Sequence, residues 1–419
     1  MPVCFKRKIF LFLLVAWCAA QTTLAQSPPG AILTLDEAVR QALEINPAFQ
    51  AQKAEVEAKK ASIGVERSLE DPMVGVEFEG VPISTSDLSQ AMERHFIFSQ
   101  KIPFPSKLVT RGTVATKEFE AQKNTFNAFK LQTIRETEHA YHELYLTEQK
   151  IEVNKELQGL WVRLSKSEQA RFESEPESAT AFLKSQIELE RLQSETALLS
   201  ARRLEALARL NTLRHRDPSE EIRLATLSDI VRPIFSYQEL EKIILKEHPE
   251  IKMAALNEEA ARAKVSLDRQ ENVLPDFQAK FSYDQMQLQE DAFSLELMIN
   301  VPFLWGKHRS ELKESLAQRK KAGQELVAAR DARLKELREI FSRFESAAKI
   351  HNIFKGQVVP HASMALQSAS SAYAAGRGDF LMLIDSAREY KKAKLEAIEA
   401  LVEYHKAFSD LKYATGGIL

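Results

Sequence analysis

The chain has 419 residues, 57 Lys and Arg against 59 Asp and Glu, a formal net charge of −2, and 2 cysteines. A balance this even, with no strongly basic domain, speaks against nucleic acid as a partner. Cys4 and Cys18 both fall within the first 25 residues, so beyond them neither a disulfide framework nor a thiolate metal centre is available.

Residues 1–25 read as a secretory signal peptide. Lys6-Arg7-Lys8 is the basic region, Ile9 to Ala20 the apolar run, and Thr23-Leu24-Ala25 the small-residue cleavage site. Cys18 is a position where a lipid could attach, although Trp17 lacks the small side chain expected before such a cysteine. Further along, no continuous apolar stretch is long enough to span a membrane as a helix. Spanning β-strands stay open, because they are short and alternate in polarity.

The rest of the chain says nearly the same thing twice, about 200 residues apart. Leu33 to Pro47 returns as Phe235 to Pro249, and Asp71 to Phe78 as Leu274 to Phe281. Ile102-Pro103-Phe104 returns as Val301-Pro302-Phe303, and Phe172 to Glu175 as Tyr373 to Gly376. We therefore read residues 26–213 as a first repeat, 214–234 as a connecting segment with Pro218 and Pro233, and 235–419 as a second repeat. Each repeat is expected to run helix, strand, strand, long helix, turn, long helix.

The first helix should begin at Thr34, with Asp36 and Glu37 in its first turn and a stripe of Leu35, Ala38, Val39, Ala42 and Leu43. Pro47 marks a restart, since helical composition resumes to about Arg67. The period then changes to two. Val74, Val76 and Phe78 alternate with Gly75, Glu77 and Glu79, and the returning strand covers Phe96 to Ile102. In the second repeat Phe277, Ala279 and Phe281, then Leu295, Leu297 and Ile299, alternate with polar neighbours. These strands suit either a small half-buried sheet or a barrel wall facing lipid. The tips, Gly80 to Gln90 and Asp284 to Ala292, read as exposed loops.

Pro103 and Pro302 stop the second strands, and long helices follow. Ser106 to Arg171 predicts a helix of about 60 residues, roughly 90 Å long. Leu334, Leu337, Phe341, Phe344 and Ala348 step alternately by three and four, as do Ala397, Leu401, Tyr404, Phe408 and Leu411, and Leu189, Leu192, Thr196 and Leu199. Such seams require partner helices. Turns fall at Glu173 to Ser178 and at Gly376-Arg377-Gly378, and Pro360 should kink or break its helix.

No enzyme signature is present: there is no Gly-x-Ser-x-Gly, no His-Glu-x-x-His, and Gly306-Lys307 lacks the upstream glycine of a phosphate loop. His139 and His142 share a helical face, but two ligands without a third make no metal centre, and no cofactor is expected. Four strands cannot close on themselves, and bare sheet edges cannot sit in lipid. Three copies would bring 12 strands, enough for a barrel with an open lumen. The expected fold is mainly α with a small β part: an internally duplicated coiled-coil α-barrel plus four strands per chain, trimerising into a 12-stranded transmembrane β-barrel.

The order of elements, the duplication, Leu33 to Pro47, Ala206 to Leu213 and Tyr373-Ala-Ala-Gly-Arg-Gly-Asp-Phe-Leu-Met-Leu-Ile-Asp-Ser-Ala-Arg388 together resemble the TolC family of outer-membrane efflux proteins, over about residues 33 to 416. The Phe/Tyr-x-x-Gly/Glu pattern and Asp379-Phe380-Leu381 resemble most the outer components of heavy-metal resistance exporters. The resemblance implies a homotrimer in the bacterial outer membrane with a long periplasmic part. It would act as the passive exit duct of a tripartite efflux system, carrying substrates, heavy-metal cations among them, from a periplasmic adaptor and an inner-membrane pump. The resemblance also implies a periplasmic aperture in which Tyr373 matches the family tyrosine and Asp385 one position of an acidic ring. Met382 falls on the second ring position, Gly378 on the gating arginine with Arg377 one residue early, and Lys184 on the first-repeat equivalent of Asp385. Three Asp385 carboxylates converging on an axis would favour bound cations. Ser174, Glu175, Ser178, Gly376, Gly378 and Asp379 would meet the adaptor. The alternatives are a soluble periplasmic coiled-coil scaffold or adaptor and, among channels, a drug-efflux or type I secretion duct.

Overall fold

A computed structural model describes residues 32–84, 86–174, 179–228, 235–287, 289–302 and 306–418. The proposed signal peptide lies outside them, as do Glu175 and Ser178. After a two-residue strand β1 (Ile32–Leu33), the first repeat has α1 (Leu35–Ile45), α2 (Pro47–Arg67), β2 (Met73–Glu79), β3 (Glu93–Ile102), α3 (Pro105–Ser174) and α4 (Ala179–Leu213). A second short strand, β4 (Arg223–Leu224), leads into α5 (Tyr237–Glu247), α6 (Pro249–Val273), β5 (Phe277–Met286), β6 (Ala292–Ile299), α7 (Lys307–Ile353), α8 (Val359–Ala374) and α9 (Phe380–Ala414).

Local chemistry accounts for the boundaries. Thr34 Oγ1 accepts the Glu37 N–H at 3.3 Å, and Ser236 with Glu239 forms the reciprocal capping box at the corresponding place in the second repeat. Both prolines restart helices at N1: Asn46 caps α2 and His248 caps α6. Pro360 does not break its helix. Residues Phe354–Val358 form a π-helical segment, and this wider turn joins α7 to α8 without interruption. Helix α3, at 70 residues, is longer than expected and reaches about 105 Å.

Equivalent cores support the two repeats. In the first, Leu33, Ala38, Ala140, Tyr141, Leu144, Leu207 and Leu210 draw α1, α3 and α4 into one core. In the second, Leu240, Ile244, Leu337, Ile340, Phe344, Tyr404 and Leu411 draw α5, α7 and α9 into one core. A third cluster, Val153, Leu157, Trp161, Leu192, Phe380, Leu383 and Ile384, joins α3, α4 and α9 farther toward the turns. The pairing of β1 with β4 in parallel has no counterpart in the expected repeat pattern. Tyr141 anchors it: its hydroxyl lies 3.0 Å from the Leu33 carbonyl and accepts the Ala225 N–H at 3.1 Å.

The two hairpins join in one antiparallel sheet of order β2-β3-β5-β6. Here one sequence expectation needs correction. Asp284 is not in a loop: β5 continues through Met286, and Asp284 pairs with His95 across β3. Aspartate is rare in strands, but a sheet with a polar face accepts it on that face.

Candidate functional site: a two-faced sheet and a helical tip

The register lines up one face of the sheet residue by residue. Val74, Phe98, Phe281 and Leu295 form one cross-strand row, and Val76, Phe96, Tyr283 and Phe293 the next. Ala279 with Leu297, and Ile102 with Phe277 and Ile299, continue the face. These apolar side chains are uncovered: Val74 is 80% exposed, Phe293 73% and Leu297 73%. Among the described residues no helix lies on this side to bury them, which is not the arrangement of a half-buried sheet. The opposite face carries Glu77, Glu79, Glu93, His95, Lys280, Ser282, Asp284 and Glu296. Among the described residues the outer edges of β2 and β6 have no strand partner. An apolar outer face, a polar inner face and open edges are the properties of one segment of a larger closed barrel.

At the far end of the long helices, the turn between α8 and α9 is built from four residues with distinct duties. Gly376 takes φ +70°, a left-handed conformation that glycine adopts without strain. Its N–H bonds to the Tyr373 carbonyl at 3.0 Å and the Arg377 N–H to the Ala372 carbonyl at 3.0 Å, which closes the C-terminus of α8. A Cβ on Gly378 would sit 2.8 Å from the Tyr373 nitrogen, so the chain can pass there only without one. Asp379 caps α9, accepting the Leu381 N–H at 3.2 Å. Tyr373 packs on Phe380, ring centroids 5.5 Å apart, and leans on the tip core.

Met382 and Asp385, one turn apart on α9, both face outward: Met382 is 60% exposed and the Asp385 side chain 76%. The neighbour of Asp385 is Arg388, at 4.0 Å. Arg377 is exposed on the turn itself, apart from that face. Ser174 is the last residue of α3.

A row of ion pairs missed by the sequence reading ties α9 to the first repeat. Arg388 reaches Glu188 on α4, Lys391 reaches Glu195, Lys394 meets Glu156 on α3, and Lys406 and Lys412 meet Glu143 and Glu138. Their only sequence signal was the charge on the outward side of each seam, which a solvated face would also carry. His139 and His142 go to different neighbours: His139 lies 2.9 Å from Asp410, whereas His142 is buried beside the His405 ring. Burial, with help from His405 and His139, pushes His142 down to about 2.

The description "Outer membrane efflux protein" matches the chain twice, over residues 38–214 and 240–417, once for each half. The chain belongs to that family. It is an outer-membrane efflux channel protein, its sheet the membrane part and its long helices the periplasmic part. The fold is similar to that of the outer-membrane channel OprN, with a TM-score of 0.77 at 18% identity, covering 91% of this chain and 90% of that one. It is similar also to the outer membrane protein VceC of Vibrio cholerae, TM-score 0.76 at 17% identity, covering 91% and 96%. CusC, described for the changes accompanying folding and transmembrane channel formation, superposes with a TM-score of 0.77 at 14% identity, covering 94% and 96%. No individually curated sequence matches the chain. The reading as a soluble scaffold falls with the family assignment and the uncovered apolar face. In this efflux protein the sheet and the helical tip lie at opposite ends of the long helices.

Proposed function

We propose that three copies of this efflux protein close their sheets edge to edge into a 12-stranded barrel and their helices into a continuous tunnel, forming the passive exit duct of a tripartite pump. The carrying observation is the sheet: four strands with one largely apolar, exposed face and, among the described residues, unpaired edges at β2 and β6. Lipid accepts such a face but not such edges, and homotypic pairing removes both edges at once.

A periplasmic adaptor would then dock on the turns, with Gly376, Gly378 and Asp379 shaping the second-repeat contact and Ser174, Glu175 and Ser178 the first. An inner-membrane pump would supply the energy. The exposed face of Met382 and Asp385 would line the aperture, with Tyr373 and Arg377 bracing the turn behind it. Heavy-metal cations would suit such a duct as cargo, since a trimer would bring three exposed Asp385 carboxylates together at the aperture.

The test is reconstitution in planar bilayers with native mass spectrometry of the same preparation. The expected result is a trimer and discrete conductance steps. A purified chain that stays monomeric without detergent and never conducts would refute the reading.

A further inference from the structure

The polar face of the sheet holds a group of side chains that conduction alone does not require. Glu79 on β2 pairs across the ladder with Glu93 on β3, and two residues further along β3 stands His95, paired with Asp284 on β5. His95 Nδ1 lies 2.7 Å from Asp284 Oδ1. The other oxygen of Asp284 accepts the Ser294 hydroxyl at 2.5 Å, and Asp284 is only 5% exposed. With its Nδ1–H donated to this fixed carboxylate, a neutral imidazole would turn its Nε2 lone pair toward the other two acids. Nε2 lies 3.3 Å from Glu79 and 3.6 Å from Glu93. The three ligand atoms all lie within 4.8 Å of one another, beside a concavity of about 280 Å³.

The two separations from Nε2 match a coordination sphere. Zinc bonds nitrogen at about 2.0–2.1 Å and carboxylate oxygen at about 2.0–2.2 Å, so two ligands in tetrahedral array sit about 3.4 Å apart. Three lone pairs aimed at one another need a cation between them, either a proton on Nε2 or a metal ion. We propose that His95, Glu79 and Glu93 form a site for a borderline divalent transition-metal cation, Zn²⁺ or Cu²⁺, with Asp284 as the positioning residue behind His95. One imidazole with two carboxylates suits such ions, whereas Cu(I) prefers thiolate or thioether. Three protein ligands leave a position for water or for exchange. The site lies beside the hairpin tip between Glu79 and Glu93; on the duct reading above, that places one copy per protomer on the lumen wall near the outer mouth.

A second cluster, Glu271, His308 and Glu311, is the weaker candidate. Arg111 already occupies Glu271 at 3.0 Å, and Lys307 stands 3.7 Å from Glu311.

The experiment uses full-length protein in detergent, purified without a histidine tag, on a His308→Ala background that removes the second cluster. Cu²⁺ is the probe, read by equilibrium dialysis and electron paramagnetic resonance. We expect one strongly held Cu²⁺ per chain with hyperfine structure from a single nitrogen, loss of that ion in His95→Ala, and binding about ten- to hundredfold weaker in Asp284→Asn. Binding unchanged by His95→Ala, or a spectrum without nitrogen coupling, overturns the site and leaves the proton as the cation between the acids. Bilayer conductance of each variant shows that the barrel has assembled. A protein that conducts but binds no Cu²⁺ sinks this inference alone, whereas one that binds Cu²⁺ through His95 and never conducts sinks the duct and keeps the site.

Discussion

Arg388 Nη2 lies 2.5 Å from Glu188 Oε1, and this contact joins α9 of the second repeat to α4 of the first. Glu188 is nearly buried, whereas Arg388 is half exposed; the Glu188 carboxylate holds the Arg388 guanidinium above its ordinary value. The pair stands close to the tip core of Leu192, Leu383, Ile384 and Ala387, on the pocket lined by Trp161 and Leu395. A contact between the two hairpins at this point is well placed to restrain any outward swing of the α8–α9 hairpin.

If it does so, Arg388→Ala or Glu188→Gln should favour the open tip. Partial exposure limits the effect to about 1 kcal/mol, roughly a fivefold change in the closed-to-open ratio. Single-channel open probability measures it. The exchange Glu188→Arg with Arg388→Glu should restore much of the original behaviour; an exchange no better than the single changes would show that the pair has no restraining role.

Acid should weaken the helical part. Burial lowers His142 to about 2 and His248 to about 4, from an ordinary value of 6.5. The unfolded chain therefore takes up protons as pH drops below 6.5 while the folded chain does not, so stability falls as pH falls and rises with pH across that window. His248 has a direct structural reason: its Nδ1 accepts the Glu250 N–H as the cap of α6, which a protonated ring cannot do. Between pH 7 and pH 5 each histidine should cost about 2 kcal/mol. Thermal unfolding of the helical signal should show His142→Phe with a flatter pH profile; an unchanged profile would mean that His142 is protonated in the native state.

Tyr141→Phe should loosen the short strands while leaving the helices in place. The hydroxyl bonds both Leu33 and Ala225, which also bond each other through the Ala225 N–H and the Leu33 carbonyl at 3.0 Å, so its loss should cost about 1 kcal/mol. Hydrogen exchange should speed up at Ala225 and change little in α3. Uniform loss of protection along α3 would mean that the ring, not the hydroxyl, organises this corner.

The two sheet faces should answer differently to charge. Phe281→Lys and Leu295→Lys place a cation on the apolar face and should destabilise the assembled barrel by about 2–4 kcal/mol each. Ser282→Lys, the next residue along β5 and on the polar face, should be tolerated and should shift ion selectivity instead. Heat-modifiable mobility of the oligomer separates the two outcomes, and equal damage from both faces would argue against lipid contact.

Asp385→Ala should lower cation preference in the reconstituted channel. Its carboxylate faces solvent in a single chain, with Arg388 4.0 Å away as its neighbour, so an aperture role requires three protomers. Unchanged selectivity would assign Asp385 to an ordinary solvated helix face.

Duplication, element order and the two-faced strands were all legible in the residues, because each rests on short-range periodicity: steps of three and four for the helices, steps of two for the strands. The Gly376 turn was legible for the same reason, since a left-handed residue and an N-cap write themselves locally. Even Pro360 followed a local rule, although the chain met it with a π turn at Phe354–Val358 in place of a break.

What no local pattern carries is register between distant segments. Asp284 looked like loop, and only its alignment with His95, with Glu79 and Glu93 beside them, turned scattered polar residues into a cluster. The same holds for Arg388 with Glu188, which lie in different repeats. Periodicity fixes which face a side chain occupies, and so the sequence determined the class of molecule. Which residue meets which across strands and helices depends on how the elements slide and pack together, and that was decided only by the folded chain.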